Sequence, residues 1–134
     1  MKKIPHINTV MTAFPWHLDV SVTAEEAFGF MHKHGIHHIP VTRGGGIVAG
    51  IATRERVQSG VGETLAALMQ PARFVDAHER LDKVLDIMVK EHCQVVVVLL
   101  HERLAGVFTC SDACRLYAEA LRAPFLPDDG NDAA

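Results

Sequence analysis

The sequence lacks an excess of basic residues. Its 134 residues include 13 Lys and Arg against 16 Asp and Glu, and three of the acids, Asp128, Asp129 and Asp132, lie in the last seven residues. Residues 1–126 therefore carry 13 basic and 13 acidic side chains. Because nucleic acids and anionic membranes are bound by clustered Lys and Arg, this neutral body predicts neither kind of partner. A neutral body is still compatible with a local cationic pocket.

Long apolar runs and a cysteine framework are also absent. No stretch of about 18 apolar residues occurs, and no apolar segment follows Lys2 and Lys3 as it would in a secretory signal. The three cysteines, Cys93, Cys110 and Cys114, are an odd number without CxxC spacing, which disfavours a disulfide framework. We therefore expect a soluble, cytoplasmic protein.

Aromatic residues are few, at 6%, whereas the apolar share as a whole is 49%. These proportions predict a well-filled core of mainly aliphatic side chains. A chain of this length can bury about two-thirds of its unfolded surface in a compact structure. Disorder is thus excluded for most of the chain.

The chain consists of two copies of one unit. Four short segments recur at an offset of 58 residues, then 57 and finally 56, and each slip of one residue falls in a loop-like stretch. The matching pairs are Val10–Met11 with Leu68–Met69, Phe28–Met31 with Leu85–Met88, Ile39–Val41 with Val96–Val98, and Gly50–Thr53 with Gly106–Thr109. We expect repeats over residues 9–60 and 66–121, followed by a flexible acidic tail over residues 122–134.

The pattern of the first unit predicts a short strand, a helix, two strands and a second helix. A capping box of Thr23 and Glu26 begins the first helix, and Gly35 ends it. Pro40 favours an edge position, or a strand start, for the strand that follows. The predicted elements are strand 16–19, helix 23–35, strands 39–42 and 47–52, and helix 53–58.

The second unit repeats this order. Its apolar run over residues 95–100 predicts a central strand covered on both faces, with a buried helix as the less favoured alternative. The predicted elements are strand 73–75, helix 81–91, strands 95–100 and 104–108, and helix 111–121. Two βαββα units of this kind predict an α+β fold.

Three motifs in these units resemble those of a known family in their order, spacing and duplication. The motifs are Met11-Thr12, Gly-Ile-His-His-Ile-Pro-Val over residues 35–41, and Gly-Val-Phe-Thr-Cys-Ser-Asp over residues 106–112. Together they resemble the tandem cystathionine β-synthase (CBS) domain pair, or Bateman module, over about residues 9–121. The resemblance implies two CBS repeats related by a pseudo-two-fold axis, with a cleft between them.

The resemblance also implies a ligand. Proteins of this family are regulatory modules that bind AMP, ADP, ATP, NAD or S-adenosylmethionine between the repeats, through a Thr/Ser-x-x-Asp motif of one repeat and segments of the other. Thr109 and Asp112 keep that motif. A carboxylate can accept hydrogen bonds from both ribose hydroxyls, and a Thr hydroxyl beside helix N-terminal N–H groups suits phosphate.

The rest of this site follows by position from the resemblance. Its expected members are Thr12 or Met11, Pro15, Trp16, Ile36, His37, His38 and Val107. The residues alone explain Asp112 equally well as an acid that caps the last helix, so that alternative stays open.

The first repeat departs from the motif. It reads Thr53-Arg54-Glu55-Arg56, with Arg56 in place of the aspartate. Because an arginine only donates hydrogen bonds, the second site, which would include Thr53 and Gln94, has lost its ribose clamp. That site is either closed or uses Arg54 and Arg56 as phosphate donors. We expect one intact site.

Four histidines, His32, His34, His37 and His38, lie within seven residues. Neighbouring histidines have the spacing of metal ligands, but no CxxC and no second histidine pair completes a set of four, so we expect no metal site. His37 or His38 is instead expected to line the nucleotide pocket, where protonation near neutral pH would tune phosphate affinity. Surface or core roles are the alternatives.

No nucleophile, base and oxyanion-stabilising group can be assembled from the sequence, so we expect no enzyme. The predicted function is that of a non-catalytic, energy-sensing module of signal transduction. It would bind an adenine nucleotide without a required cofactor, form a homodimer and act on an unknown effector protein in trans. The alternatives are a ligand-free dimerisation scaffold, motivated by Arg56 and the bulk of Trp16, and a metal binder built on the histidine cluster.

Overall fold

The computed structural model describes residues 3–123, which fold into two βαββα repeats of mixed α/β structure. A 3-10 helix over Ile7–Thr9 precedes the first strand. The strands are β1 Thr12–Ala13, β2 Leu18–Asp19, β3 His38–Thr42, β4 Val48–Thr53, β5 Phe74–Asp76, β6 Val95–Leu100 and β7 Arg103–Thr109. The helices are α1 Ala24–His34, α2 Arg54–Ser59, α3 Leu65–Leu68, α4 Leu81–Lys90 and α5 Cys110–Arg122.

The strands form one sheet for each repeat. The first sheet has the order β2-β3-β4 and the second has the order β1-β7-β6-β5. The short strands β2 and β5 are parallel to β3 and β6, the strands that follow helices α1 and α4. The longer strands form the antiparallel pairs β3–β4 and β6–β7. The predicted central strand over residues 95–100 is confirmed, since β6 lies between β5 and β7 and Val96, Val97 and Val98 are completely buried.

Matched hydrogen bonds give the two repeats the same internal geometry. The N–H of Arg54 donates to the His37 carbonyl over 2.9 Å, and the N–H of Cys110 donates to the Gln94 carbonyl over the same distance. Both bonds tie the first residue of a closing helix to the residue that precedes a central strand. The duplication in the sequence is therefore a duplication of structure.

The leading segment of each repeat packs on the other repeat. The N–H of Ile7 donates to the Glu79 carbonyl over 2.7 Å, and Thr12 pairs with Val107 as β1 joins the second sheet. In return, the N–H of Gln70 donates to the Ile51 carbonyl over 2.8 Å. The packing thus exchanges residues 7–13 and 65–70 across the predicted boundaries at 9–60 and 66–121.

Each repeat has its own apolar core, and this exchange completes both of them. Met31, Ile39 and Val41 of the first repeat are completely buried together with Leu65. The second core joins Ile7 to seven other buried residues, namely Val75, Ala77, Val84, Met88, Val96, Val98 and Phe108. Since burial of an aliphatic side chain contributes about 1.5–3 kcal/mol, Ile7 and Leu65 hold the repeats together.

Local predictions for the first repeat were mostly correct. The Thr23 side chain accepts a hydrogen bond from the Glu26 N–H at the start of α1, and Gly35 ends the helix with a left-handed φ of 65°. Of the two positions predicted for Pro40, the edge position is wrong, because β3 is the middle strand of its sheet, and Pro40 is the third residue of that strand instead of its first. Its missing N–H leaves the ladder intact, since the N–H and the carbonyl of the paired Ile51 both bond to Gln70.

The ends of the predicted units also differ from the structure. The strand predicted over residues 16–19 is shorter in the structure, where β2 covers only Leu18–Asp19. Helix α5 continues to Arg122, the first residue of the predicted tail, and residues 124–134 lie outside the described residues. Within residues 3–123, none of the helices has the length and apolarity needed to cross a membrane.

Candidate functional site

A cleft of about 980 Å³ lies between the two repeats. Its walls are the segment that joins β1 to β2, the residues before β3, and the N-terminal turns of α2 and α5. The structure places every residue of the sequence-predicted sites on these walls: Thr12, Pro15, Trp16, Ile36, His37, His38, Val107, Thr109 and Asp112, with Thr53, Arg56 and Gln94 of the second site. Met11, the alternative to Thr12, packs against Gly106 instead.

Thr109 and Asp112 form a reciprocal capping box at the start of α5. The Thr109 N–H donates to Asp112 Oδ2 over 2.9 Å, and the Asp112 N–H donates to Thr109 Oγ1 over 3.1 Å. The helix-cap interpretation of Asp112 is therefore correct for the structure as it stands. The cap also fixes the position of the carboxylate on the cleft wall, where 15% of the side chain is exposed.

Arg115 is a cleft residue that the sequence reasoning missed. Its Nη1 donates to Asp112 Oδ1 over 3.0 Å, so both carboxylate oxygens of Asp112 have partners. The signal in the sequence was an Arg three residues after an Asp on one helix, which is a common ion-pair spacing. Because the Arg115 side chain is 65% exposed, the pair is easily exchanged for another partner.

In the first repeat, Arg56 takes the position of Asp112 but has a different role. Its Nε donates to the Leu68 carbonyl over 2.9 Å, which ties α2 to the end of α3. The neighbouring Arg54 donates from Nη2 to the Met31 carbonyl over 2.9 Å, and its Nε is buried without a partner. Both arginines thus support the backbone as well as lining the cleft, and neither can accept a hydrogen bond.

The two histidines ahead of β3 differ in environment. His37 is exposed on the cleft wall, whereas His38 is half-buried at the first position of the strand. Burial lowers the pKa of His38 below its usual 6.5, the neighbouring His37 lowers it further, and Glu55 partly opposes the shift. Within the described part of the chain, no group of three or more His, Cys, Asp or Glu side chains is arranged to hold a metal ion.

Trp16 is held on the cleft wall by two side chains of α1. Its ring stacks on His34 with centroids 4.5 Å apart, and it meets Phe30 edge-on at 5.5 Å. One face of the indole is therefore occupied by the protein. Trp16 therefore lines the cleft without filling it.

Phe14 is another cleft residue that the sequence reasoning missed. Its side chain is 96% exposed, and its backbone has a φ of 49°, in the left-handed region that bulky residues avoid. The next residue is Pro15, and a residue before proline strongly favours extended backbone. Nothing in the sequence signals this conformation, which is why Phe14 was not predicted.

The three cysteines are free and have unequal surroundings. Cys110 and Cys114 are exposed, whereas Cys93 is half-buried. Burial raises the pKa of the Cys93 thiol, and the Glu91 carboxylate raises it further. Cys110 is the one among them that lines the cleft.

Comparison with protein families identifies the same domain in both repeats. The family model described as CBS domain matches residues 7–63 and again residues 65–119. A search of curated proteins found no match.

Several solved structures share the fold. An acetoin utilization protein from Vibrio cholerae is 20% identical with a TM-score of 0.82, over 89% of this chain and 94% of that one. The CBS domain pair of MJ0100 with 5-methylthioadenosine and S-adenosyl-L-methionine is 23% identical with a TM-score of 0.80, over 88% and 99%. CBSX2 with AMP is 14% identical with a TM-score of 0.78, over 87% and 98%. At these identities the likeness concerns the fold alone.

Proposed function

Because the chain belongs to the CBS domain family, in which its two repeats form a tandem pair, we propose that it is a regulatory module that binds an adenine nucleotide in the cleft between them. The observation that carries this proposal is the position of Thr109 and Asp112, which lie together on the cleft wall. The cleft volume of about 980 Å³ is at the upper end of the range for small-molecule sites, which is about 300–1,000 Å³.

Asp112 is proposed to bind the ribose. Its Oδ2 already accepts the Thr109 N–H, so the carboxylate needs only to release Arg115 from Oδ1 to accept a ribose hydroxyl. Since the Asp112–Arg115 pair is exposed on the Arg side, its loss costs less than about 1 kcal/mol, and a charge-assisted bond to the ligand offsets that cost. The released guanidinium would then be available to the phosphate.

The relatives in the same fold support an adenosine-containing ligand. The structures of MJ0100, CBSX2 and the bacterial CNNM/CorC Mg²⁺ transporter domain contain 5-methylthioadenosine with S-adenosyl-L-methionine, AMP and ATP respectively. Within this class we propose a phosphorylated ligand, because Arg54, Arg56 and Arg115 outnumber the two carboxylates on the cleft wall, Glu55 and Asp112.

We propose one nucleotide site. Arg56 replaces the acceptor in the first repeat, and its Nε bond to the Leu68 carbonyl keeps the side chain close to the protein backbone. The half of the cleft around Thr53 and Gln94 therefore has no ribose clamp. A ligand bound through Asp112 would direct its phosphate toward the arginines of this half.

We further propose that the protein is a non-catalytic homodimer in the cytoplasm that signals to an effector protein in trans. Three large apolar side chains on the outer helices are exposed and available to a second copy: Val89 is 73% exposed, Tyr117 is 68% exposed and Leu121 is 49% exposed. Sedimentation velocity tests the dimer. The variant Tyr117→Glu with Leu121→Glu should sediment as a monomer if these side chains form the interface.

A titration tests the binding proposal. Isothermal calorimetry with AMP, ATP, NAD and S-adenosylmethionine should give binding to at least one ligand, which Asp112→Ala abolishes and Arg56→Ala retains. The thermal midpoint of each ligand-free variant is measured as well, so that a folding defect is separated from a loss of binding. The proposal fails if the wild-type chain gives no heat and no thermal shift with any of the four ligands.

The same titration examines a second candidate function, a ligand-free dimerisation scaffold. The observation that favours it is that both oxygens of Asp112 are already bonded within the chain, to Thr109 and Arg115. A dimer that binds none of the four ligands would support the scaffold and exclude the sensor.

A further inference from the structure

We propose that Phe14 stacks on the base of the bound nucleotide, an inference that rests on the proposed function. Phe14 combines almost complete exposure with a left-handed backbone, and both features are unfavourable in a protein without a ligand. Neither is compensated by contacts of its own side chain. An aromatic ring held in this way on a cleft wall is suited to a planar ligand.

The second sheet holds the backbone of Phe14 in place. The Phe14 N–H donates to the Ala105 carbonyl over 3.3 Å, which continues the β1–β7 ladder by one rung. Pro15 follows at once and limits rotation of the chain beyond that rung. Phe14 therefore extends into the cleft from a backbone that the sheet holds in place.

The neighbouring Trp16 is less suited to this role. One face of its indole already lies against His34, with ring centroids 4.5 Å apart. Phe14 lies on the segment between β1 of the second sheet and β2 of the first, so a base stacked on it would contact the connection between the repeats. A base on Phe14 and a ribose on Asp112 would place the nucleotide across the cleft.

Three variants test this inference. Phe14→Gly removes the ring and accepts the positive φ without strain, so the thermal midpoint of the ligand-free protein should stay at or above that of the wild type. Affinity for AMP should fall by about 5- to 100-fold, as expected for one stacked base. Phe14→Leu, which keeps apolar area but no aromatic face, should give a smaller loss. Val61→Ala, at an exposed apolar residue outside both the cleft and the proposed dimer interface, is the control and should bind AMP as the wild type does.

Ribose 5-phosphate separates base stacking from other effects. Its thermal shift should be the same for the wild type and Phe14→Gly, because it has no base to stack. If AMP affinity of Phe14→Gly stays within two-fold of wild type while Asp112→Ala abolishes binding, Phe14 does not stack on the base and the nucleotide function stands. An equal loss for AMP and ribose 5-phosphate would also overturn the inference. If the wild type binds no adenosine ligand at all, the proposed function fails and this inference fails with it.

Discussion

Met69 lies so close to Gly50 that a β-carbon at Gly50 would approach its sulfur to 3.1 Å and the Gln70 carbonyl oxygen to 2.7 Å. Met11 has the same relationship to Gly106, where a β-carbon would collide with the sulfur. Each methionine belongs to the leading segment of one repeat, and each glycine belongs to a strand of the other. The methionines come from one of the four sequence matches that define the duplication, and the glycines come from another. In the structure these two matched segments contact each other.

Substitution of either glycine should loosen the exchanged segments. Gly50→Ala and Gly106→Ala are each expected to lower the free energy of unfolding by about 1–3 kcal/mol, as overpacking in a buried contact does. Urea denaturation followed by circular dichroism measures the change.

Gly29 provides the matched control for these two variants. It lies on α1, and a β-carbon there would meet no atom within 4 Å. Gly29→Ala should therefore raise stability by about 0.5–1 kcal/mol, through helix propensity. Equal destabilisation by all three substitutions would contradict the packing described for Gly50 and Gly106.

The capping box predicts a stability effect at Asp112 that is independent of any ligand. Asp112→Ala leaves the Thr109 N–H without its acceptor and should lower the free energy of unfolding by about 1 kcal/mol. Asp112→Asn should cost less, because an amide oxygen can still accept that bond. Thermal unfolding of the ligand-free chain measures both effects, with Asp86→Ala, at an exposed acid of α4, as the control. No difference among the three variants would contradict the cap.

His38 predicts a loss of stability on mild acidification. Its pKa in the folded protein lies below 6.5, its ordinary value, so the unfolded chain binds the proton first as the pH falls. Stability is complete above about pH 6.5 and declines as the pH falls toward the folded pKa of His38.

The variant His38→Gln tests this pH dependence. Its free energy of unfolding should change less than that of the wild type between about pH 7.5 and about pH 5.5. His6→Gln, at an exposed histidine, serves as the control and should follow the wild type. If the free energies of unfolding of His38→Gln and the wild type change equally with pH, His38 is not the source of the pH dependence.

The cysteines predict an order of alkylation rates. Because the thiolate is the reactive form and burial raises the pKa of Cys93, iodoacetamide should modify Cys93 more slowly than Cys110 and Cys114. Saturating nucleotide should slow modification of Cys110, which lines the cleft, and leave Cys114 unchanged as an internal control. Peptide mass spectrometry measures the three rates. Modification of Cys93 at the rate of Cys110 would contradict the burial of Cys93.

The internal architecture of each repeat was readable from the sequence because its signals are local. Thr23 with Glu26 marked a helix start, Gly35 marked the end of that helix, and the run over residues 95–100 marked the central strand. The family resemblance, and not the repetition, led to the walls of the cleft, where every predicted site residue lies except Met11, the alternative to Thr12. The edge position predicted for Pro40 was wrong because a missing N–H weakens a strand only where that N–H would donate to a neighbouring strand.

What the sequence determined by itself was therefore the two-fold repetition and the order of elements within each unit, whereas the residues that meet between the units followed from the family resemblance. Only the tertiary structure decided that Ile7 and Leu65 cross to the opposite cores, that Arg115 holds Asp112, and that Phe14 stands exposed in a left-handed conformation. The crossing depends on contacts between segments far apart in the chain, which local periodicity does not record. The geometries of Arg115 and Phe14 depend on a side-chain rotamer and a backbone conformation, respectively. Several rotamers and conformations are open to each residue, and its surroundings in the folded chain decide which one it adopts.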